Sequence, residues 1–267
     1  MSDARVNKVH RANLGQDGVR PGSTSGLSAQ TTTPKVPDYL EKHYWWAYVR
    51  PRAIRFFERD WLADLILLGN YRRLLNLTLD TLGKSLPGLT LQIACVYGNL
   101  TEELRQRVSA GQGHLDVVDV LSAQLDNLRR KVPDPAVRLL QRDSTMLGLP
   151  DANYDRVLIY FLLHEQPREV RLNTLQEALR VLKPEGHLMI VDFARPPRWH
   201  PMRYLWLPIL TVLEPFAPAL WTENVTDWAP LSQPEMLCQR QTVFGGFFQI
   251  LLFKKPAATP QASSQSI

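Results

Sequence analysis

The sequence predicts an α/β fold, a largely parallel sheet with helices on both faces. Three observations carry that prediction. From Leu89 onward, short apolar runs alternate with segments of helical periodicity, the pattern of strand–helix–strand units. The clearest helical segment, Glu169 to Leu182, places Leu172, Leu175, Leu179 and Leu182 on one stripe, as a helix lying on a sheet requires. The 267 residues, 45% hydrophobic and 21% charged, suit one catalytic domain with extensions.

In chain order, residues 1–36 lack periodicity and predict a disordered basic tail. Residues 37–85 predict a helical lid. Tyr39 to Arg59 is rich in aromatics at helical spacing with Pro51 interrupting, and Trp61 to Leu82 continues as a second apolar-periodic stretch. Residues 86–255 form the main domain. Its strands are expected at Leu89–Cys95, Leu115–Val120, Val137–Leu140, Arg156–Phe161 and Leu188–Phe193, with Lys183-Pro184-Glu185-Gly186 stopping the helix before the last of these. Gln241–Lys255 reads as two strands joined at Gly245-Gly246, a hairpin on the sheet edge. Residues 256–267 predict a second disordered tail.

Composition excludes several classes. The net charge of +5 owes three of its units to the first 35 residues, where five basic residues face two acids, so the body is nearly neutral and nucleic-acid binding is not expected. Cys95 and Cys238 lie far apart without metal-ligand spacing, which predicts no disulfide or structural zinc and fits a reduced cytoplasmic setting. No run of 18 uninterrupted apolar residues occurs and the N-terminal segment lacks an apolar signal core, so neither a membrane span nor a secretory leader is expected.

In an open α/β sheet, ligands bind beyond the carboxyl ends of the strands where strand order reverses. The first strand-to-helix turn runs Gln92-Ile93-Ala94-Cys95-Val96-Tyr97-Gly98-Asn99-Leu100-Thr101. Asp119 ends the second strand 21 residues after Gly98, a spacing that suits a carboxylate accepting hydrogen bonds from a ribose diol. Asp143 follows the third strand, with Ser144 and Thr145 beside it.

These positions resemble the class I S-adenosylmethionine (SAM) dependent methyltransferases, above all the quinone-biosynthesis C-methyltransferases. The resemblance rests on Gly98-Asn99-Leu100-Thr101, Val118-Asp119-Val120, the turn Leu149 to Val157, and Arg180 to Gly186. It implies a Rossmann-like seven-stranded sheet. It also implies SAM contacts at Gln92, Ala94, Tyr97, Gly98, Asp119, Val120, Asp143, Ser144, Thr145 and Tyr160. The chain departs from that pattern where the family has an acid and this sequence has Gln92, and where it has glycines and this sequence has Ala94 and Val96.

The altered turn, with Pro37 to Tyr48 and Leu68-Gly69-Asn70-Tyr71, is similar to the rhodoquinone-biosynthesis proteins. That resemblance implies replacement of a ubiquinone methoxy group by an amino group, with SAM as amine donor, manganese(II) assisting and anaerobic metabolism as the setting. Gln92 in place of a carboxylate is then expected to favour the neutral, nucleophilic amine. The catalytic candidates are Tyr97, Gln92, Asp143 and His164. For a metal, Asp143 and Glu165 lead, with His164 next and with His43 and Asp192 able to converge there, since hard ions prefer oxygen. A prenylated quinone calls for an aromatic entrance, for which Tyr39, Tyr44, Trp45, Tyr48, His164 and Trp199 are candidates. Arg195, Arg198 and Arg203 beside the apolar run Trp206 to Trp221 fit peripheral contact with the inner membrane. Two other readings stand beside amino transfer: a conventional SAM-dependent methyltransferase on a prenylated quinone or phenol, and a non-catalytic quinone- or SAM-binding accessory protein.

Overall fold

The computed structural model describes residues 34–45 and 56–258. Residues 1–33 and 259–267, which hold most of the two expected tails, lie outside the described residues, as do 46–55 with Tyr48.

A seven-stranded sheet forms the centre, in the order β3-β2-β1-β4-β5-β7-β6. The strands are β1 (Leu89–Ile93), β2 (His114–Asp119), β3 (Val137–Gln141), β4 (Tyr154–Tyr160), β5 (Leu182–Phe193), β6 (Leu237–Val243) and β7 (Phe248–Lys254). The first five are parallel and β7 runs antiparallel to both β5 and β6. Fully buried runs such as Val157-Leu158-Ile159 and Leu188 to Val191 show why: a strand covered on both faces needs apolar side chains at every position. The hairpin expected at Gly245-Gly246 is present, both glycines having positive φ, and it fills the sheet edge.

Ahead of the sheet stand α1 (Asp38–His43), α2 (Asp60–Ile66) and α3 (Tyr71–Leu82). The crossovers are α4 (Leu100–Ala110), α5 (Ser122–Lys131) and α6 (Arg168–Val181). The segment from Met202 to Thr222, interrupted by Pro208, Pro215 and Pro218, forms three short helices, α7 (Met202–Leu205), α8 (Leu207–Leu213) and α9 (Pro218–Thr222).

One boundary differs from expectation. Lys183 to Gly186 does not end the helix ahead of a separate strand; it lies within β5, whose pairing to β4 jumps from Tyr154–Leu182 to Arg156–His187. Pro184 has no N–H to give a ladder and Glu185 sits at φ 61°, so the stretch bulges away from its neighbour. The switch point falls between β1 and β4, which pair with each other while their crossovers lead to opposite sides of the sheet.

Candidate active site

At the switch point the backbone is strained on both sides. Ala94, just beyond β1, has φ 75°, and Phe161, just beyond β4, has φ 49°. Neither is a glycine, and such conformations persist only where the surroundings hold them. For Ala94 the holding groups are visible. Its N–H donates to Val118 O at 2.8 Å, and its carbonyl accepts from Gln92 Nε2 at 3.0 Å. The other end of that fully buried amide, Oε1, accepts from Thr101 Oγ1 at 3.1 Å, so Gln92 braces the turn against α4. Gly98 (φ 84°) leaves no room for a Cβ, because the Tyr71 phenol packs against it and accepts from Asn99 N–H.

Asp119 closes β2 and ties two turns together. Oδ2 accepts from Cys95 N–H at 2.8 Å and Oδ1 from Leu121 N–H at 2.8 Å. Burial pushes its carboxyl up to about 6, against the lowering effect of those backbone hydrogen bonds. Ala94, Tyr97, Asp119, Val120, Ser144 and Tyr160 all line one cavity of about 220 Å³. The Tyr160 hydroxyl and Gln166 Oε1, both buried and both on its wall, have no hydrogen-bond partner among the described residues. A ligand in the cavity is one way to satisfy both.

The far end of the cavity is built by the loop after β4. Arg171 of α6, itself buried, donates to Leu163 O at 2.8 Å, Gln166 O at 2.9 Å and Phe216 O at 3.0 Å, fixing that loop and the link after α8. His164 Nδ1 lies 2.9 Å from Asp192 Oδ1 at the end of β5. Burial opposes charge on this imidazole, but Asp192 beside it outweighs burial and raises its pKa to about 9. Glu214, just past α8, accepts from Tyr44 Oη at 2.7 Å, and burial raises its pKa.

Two segments cover the cavity. Leu40 and Tyr44 of the α1 segment pack with Leu121 on the Asp119 side, while the Tyr44 hydroxyl reaches Glu214 on the other. Phe57 stacks on Tyr97, centroids 5.7 Å apart and planes 23° apart, and Gln124 Nε2 donates to Tyr97 Oη at 3.0 Å. Glu58 then accepts from Gly98 N–H at 3.3 Å and Asn127 Nδ2 at 2.8 Å and pairs with Lys131, whose ammonium also donates to Gly98 O.

Several residues expected at the site stand elsewhere. Gln92 and Gly98 shape the turn from behind, and neither lines the cavity. Asp143 turns back on its own loop, Oδ1 accepting from Thr145 N–H at 2.8 Å and Thr145 Oγ1 at 2.7 Å, and neither lines the wall. Trp45 is 44% exposed and Trp199 74% exposed, both off the cavity. His43 packs edge-on against Phe216. The metal expectation is corrected: among the described residues no three His, Cys, Asp or Glu side chains form a group that could hold an ion. Glu165 Oε1 is 3.8 Å from His164 Nε2, but Asp143 is engaged with Thr145, so the proposed ligands do not converge. Glu214, Glu58, Lys131 and Gln166 were missed by sequence reasoning. Only Glu214 carries a signal, as the one acid inside the apolar run Trp206 to Trp221.

A family model described as "Methyltransferase domain" matches residues 90–186. A ubiquinone/menaquinone biosynthesis C-methyltransferase, UbiE, of Idiomarina loihiensis is 32% identical over 141 residues, 51% of this chain and 55% of that protein. A demethylmenaquinone methyltransferase of Beutenbergia cavernae is 31% identical over 181 residues, 63% of this chain and 71% of that protein. The chain belongs to the class I SAM-dependent methyltransferases. This methyltransferase spans little more than half the length of the Idiomarina relative. Solved structures share its fold: a possible exported protein of Bordetella parapertussis (TM-score 0.54, 18% identity, 72% of this chain and 70% of that one) and an O-methyltransferase family protein of Burkholderia thailandensis (TM-score 0.53, 13% identity, 79% and 64%).

Proposed function

We propose that this methyltransferase transfers a group from SAM to the ring of a prenylated quinone or quinol. The observation that carries the reading is a single cavity with two unlike ends. At one end Asp119, Ser144 and Tyr160 offer the polar groups a nucleoside needs. At the other, Phe161, Phe193 and Leu210 form apolar walls around His164, the setting for a flat ring with polar substituents.

SAM, when bound, supplies an electrophilic methyl carbon on sulfur. Asp119 would accept hydrogen bonds from the ribose hydroxyls, Ser144 and Gln166 would face the adenine, and Tyr97 and Val96 would bound the methionine arm. Methyl transfer is the reading that the curated relatives support, since one is named a ubiquinone/menaquinone biosynthesis C-methyltransferase and the other a demethylmenaquinone methyltransferase. A second reading, exchange of a ring methoxy group for the amine of SAM as in rhodoquinone formation, is favoured by the turn itself. Ala94 and Val96 stand where the family has glycines and Tyr97 where a small residue is usual, and Tyr97 is held by Phe57 and Gln124. The residues do not fit manganese, and no step is assigned to it.

The substrate tail calls for a route from a bilayer. Helix α8 lines the cavity with Leu210 while exposing Ile209, Val212 and Leu213, and α2 lines it with Ile66 while exposing Trp61 and Leu65. This apolar rim is taken as a peripheral membrane contact.

One experiment tests the transfer. The protein is incubated with short-tailed quinols and quinones, with and without a ring methoxy group, and with SAM labelled with nitrogen-15 at the amine and carbon-13 at the methyl. Mass spectrometry of the quinone should show a carbon-13 methyl on the ring. Nitrogen-15 in place of methoxy would establish the second reading. SAM binding with no labelled quinone would overturn both in favour of an accessory protein.

A further inference from the structure

We propose that His164 is the hydrogen-bond donor that holds and polarises one ring oxygen of the quinone, with Asp192 as its positioning residue; the inference rests on the quinone reading of this cavity. The argument starts at Asp192, which is fully buried at the carboxyl end of β5. Its Oδ2 accepts from Leu163 N–H at 2.9 Å and His164 N–H at 3.3 Å, and its Oδ1 accepts from Phe193 N–H at 2.8 Å. A carboxylate with that many backbone donors is held immobile. The remaining direction on Oδ1 is taken by His164 Nδ1 at 2.9 Å. The ring is therefore fixed in position with Nδ1–H toward the carboxylate, and the positive charge that Asp192 favours on it places a second proton on Nε2, which points away.

Nε2 has no hydrogen-bond partner among the described residues, since Glu165 Oε1, at 3.8 Å, is beyond reach of a hydrogen bond. Yet His164 is only 6% exposed and lines the cavity. A pinned N–H donor in a nearly dry pocket needs an acceptor from a ligand. What surrounds it says which acceptor. The Phe193 and Phe161 rings stand edge-on to the imidazole at 4.9 and 6.1 Å between centroids. These are apolar walls, poor hosts for a phosphate or carboxylate and good ones for the body of a ring whose oxygen meets Nε2–H. A donor aimed where negative charge gathers on a ring oxygen acts on both readings above: it stabilises electron density on a quinol oxygen during methylation, or draws it from a quinone carbonyl before an amine adds.

The test uses the full chain with S-adenosylhomocysteine and a short-tailed ubiquinone carrying carbon-13 at one or the other ring carbonyl, read by infrared difference spectroscopy. In the wild type one carbonyl band should lie below its frequency in the free quinone. That displacement should vanish in His164→Phe and survive in reduced form in His164→Gln, which keeps a neutral N–H. Turnover should fall about 100-fold in His164→Phe with a much smaller change in KM. Calorimetric binding of SAM checks that each variant is folded; if His164→Phe fails that check, Asp192→Asn takes its place, where a diminished displacement is expected. Bound quinone whose carbonyl bands match in the wild type and the variants overturns the role of His164 while leaving the quinone reading intact. A wild type that binds S-adenosylhomocysteine but no quinone removes both.

Discussion

On the proposed function, recognition of SAM turns on Asp119. A ribose diol donates its hydroxyl hydrogens, so it needs the carboxylate and not the acid. With the carboxyl raised from 3.8 to about 6, the acid form becomes populated within an accessible range. The Kd for SAM is expected to rise as pH falls below about 6, by up to tenfold per pH unit. Asp119→Asn should bind more weakly at pH 8 and show a flat profile. Titration calorimetry between about pH 5 and pH 8 checks both, and a wild-type affinity that does not change across that range would reject the assignment. The sign for stability follows from the same shift. The folded chain holds this proton more tightly than the unfolded chain, so the contribution of Asp119 to stability declines as pH rises from about 4 to about 6.

Among the elements, the short segment ahead of α2 does more than its length suggests. Phe57 and Glu58 reach the first turn of the sheet, and Lys131 at the end of α5 joins them to the Gly98 carbonyl. The Glu58 and Lys131 side chains are about four-fifths covered, 21% and 24% exposed, so their attraction is less screened than that of a surface pair. Lys131→Met should loosen the turn. The expected result is a several-fold weaker SAM affinity with little change in Tm, measured by calorimetry and thermal unfolding; unchanged affinity would make the clamp a mere surface contact. Much of the site was not legible at this scale. Asp119 and the turn could be placed because strand ends and helix starts leave local marks. Glu58, Lys131 and Glu214 meet their partners across 40, 33 and 170 residues of chain, and nothing in their immediate neighbours announces it. Asp143 and Gln92 looked available for a ligand, but their hydrogen bonds go to their own turns, a competition that short polar side chains commonly win.

For the molecule as a whole, the sheet was the readable part. Apolar runs and the Leu stripe on α6 carry periodicities that only strands and helices satisfy, and the hairpin followed from two adjacent glycines. The bulge in β5 was hidden, because Lys-Pro-Glu-Gly reads as a stop whether or not the strand has begun. No described helix is long and apolar enough to cross a membrane. The exposed side chains of α7 and α8, with Val212 81% and Tyr204 66% open, instead predict surface binding. The protein should float with vesicles containing anionic phosphatidylglycerol, drawn by Arg195 and Arg198, and Val212→Asp with Leu213→Asp should leave it unbound while SAM affinity holds. Flotation of that double variant equal to the wild type would sink the idea. The α1 segment, finally, has a kinetic consequence. Through Leu40 and Tyr44 it rests on Leu121 at one end of the cavity and hydrogen-bonds Glu214 at the other, so on the proposed function it would serve both ends as one door. Spent cofactor and finished quinone would then depart in one opening event, and the rhythm of turnover would be set by how often that door swings.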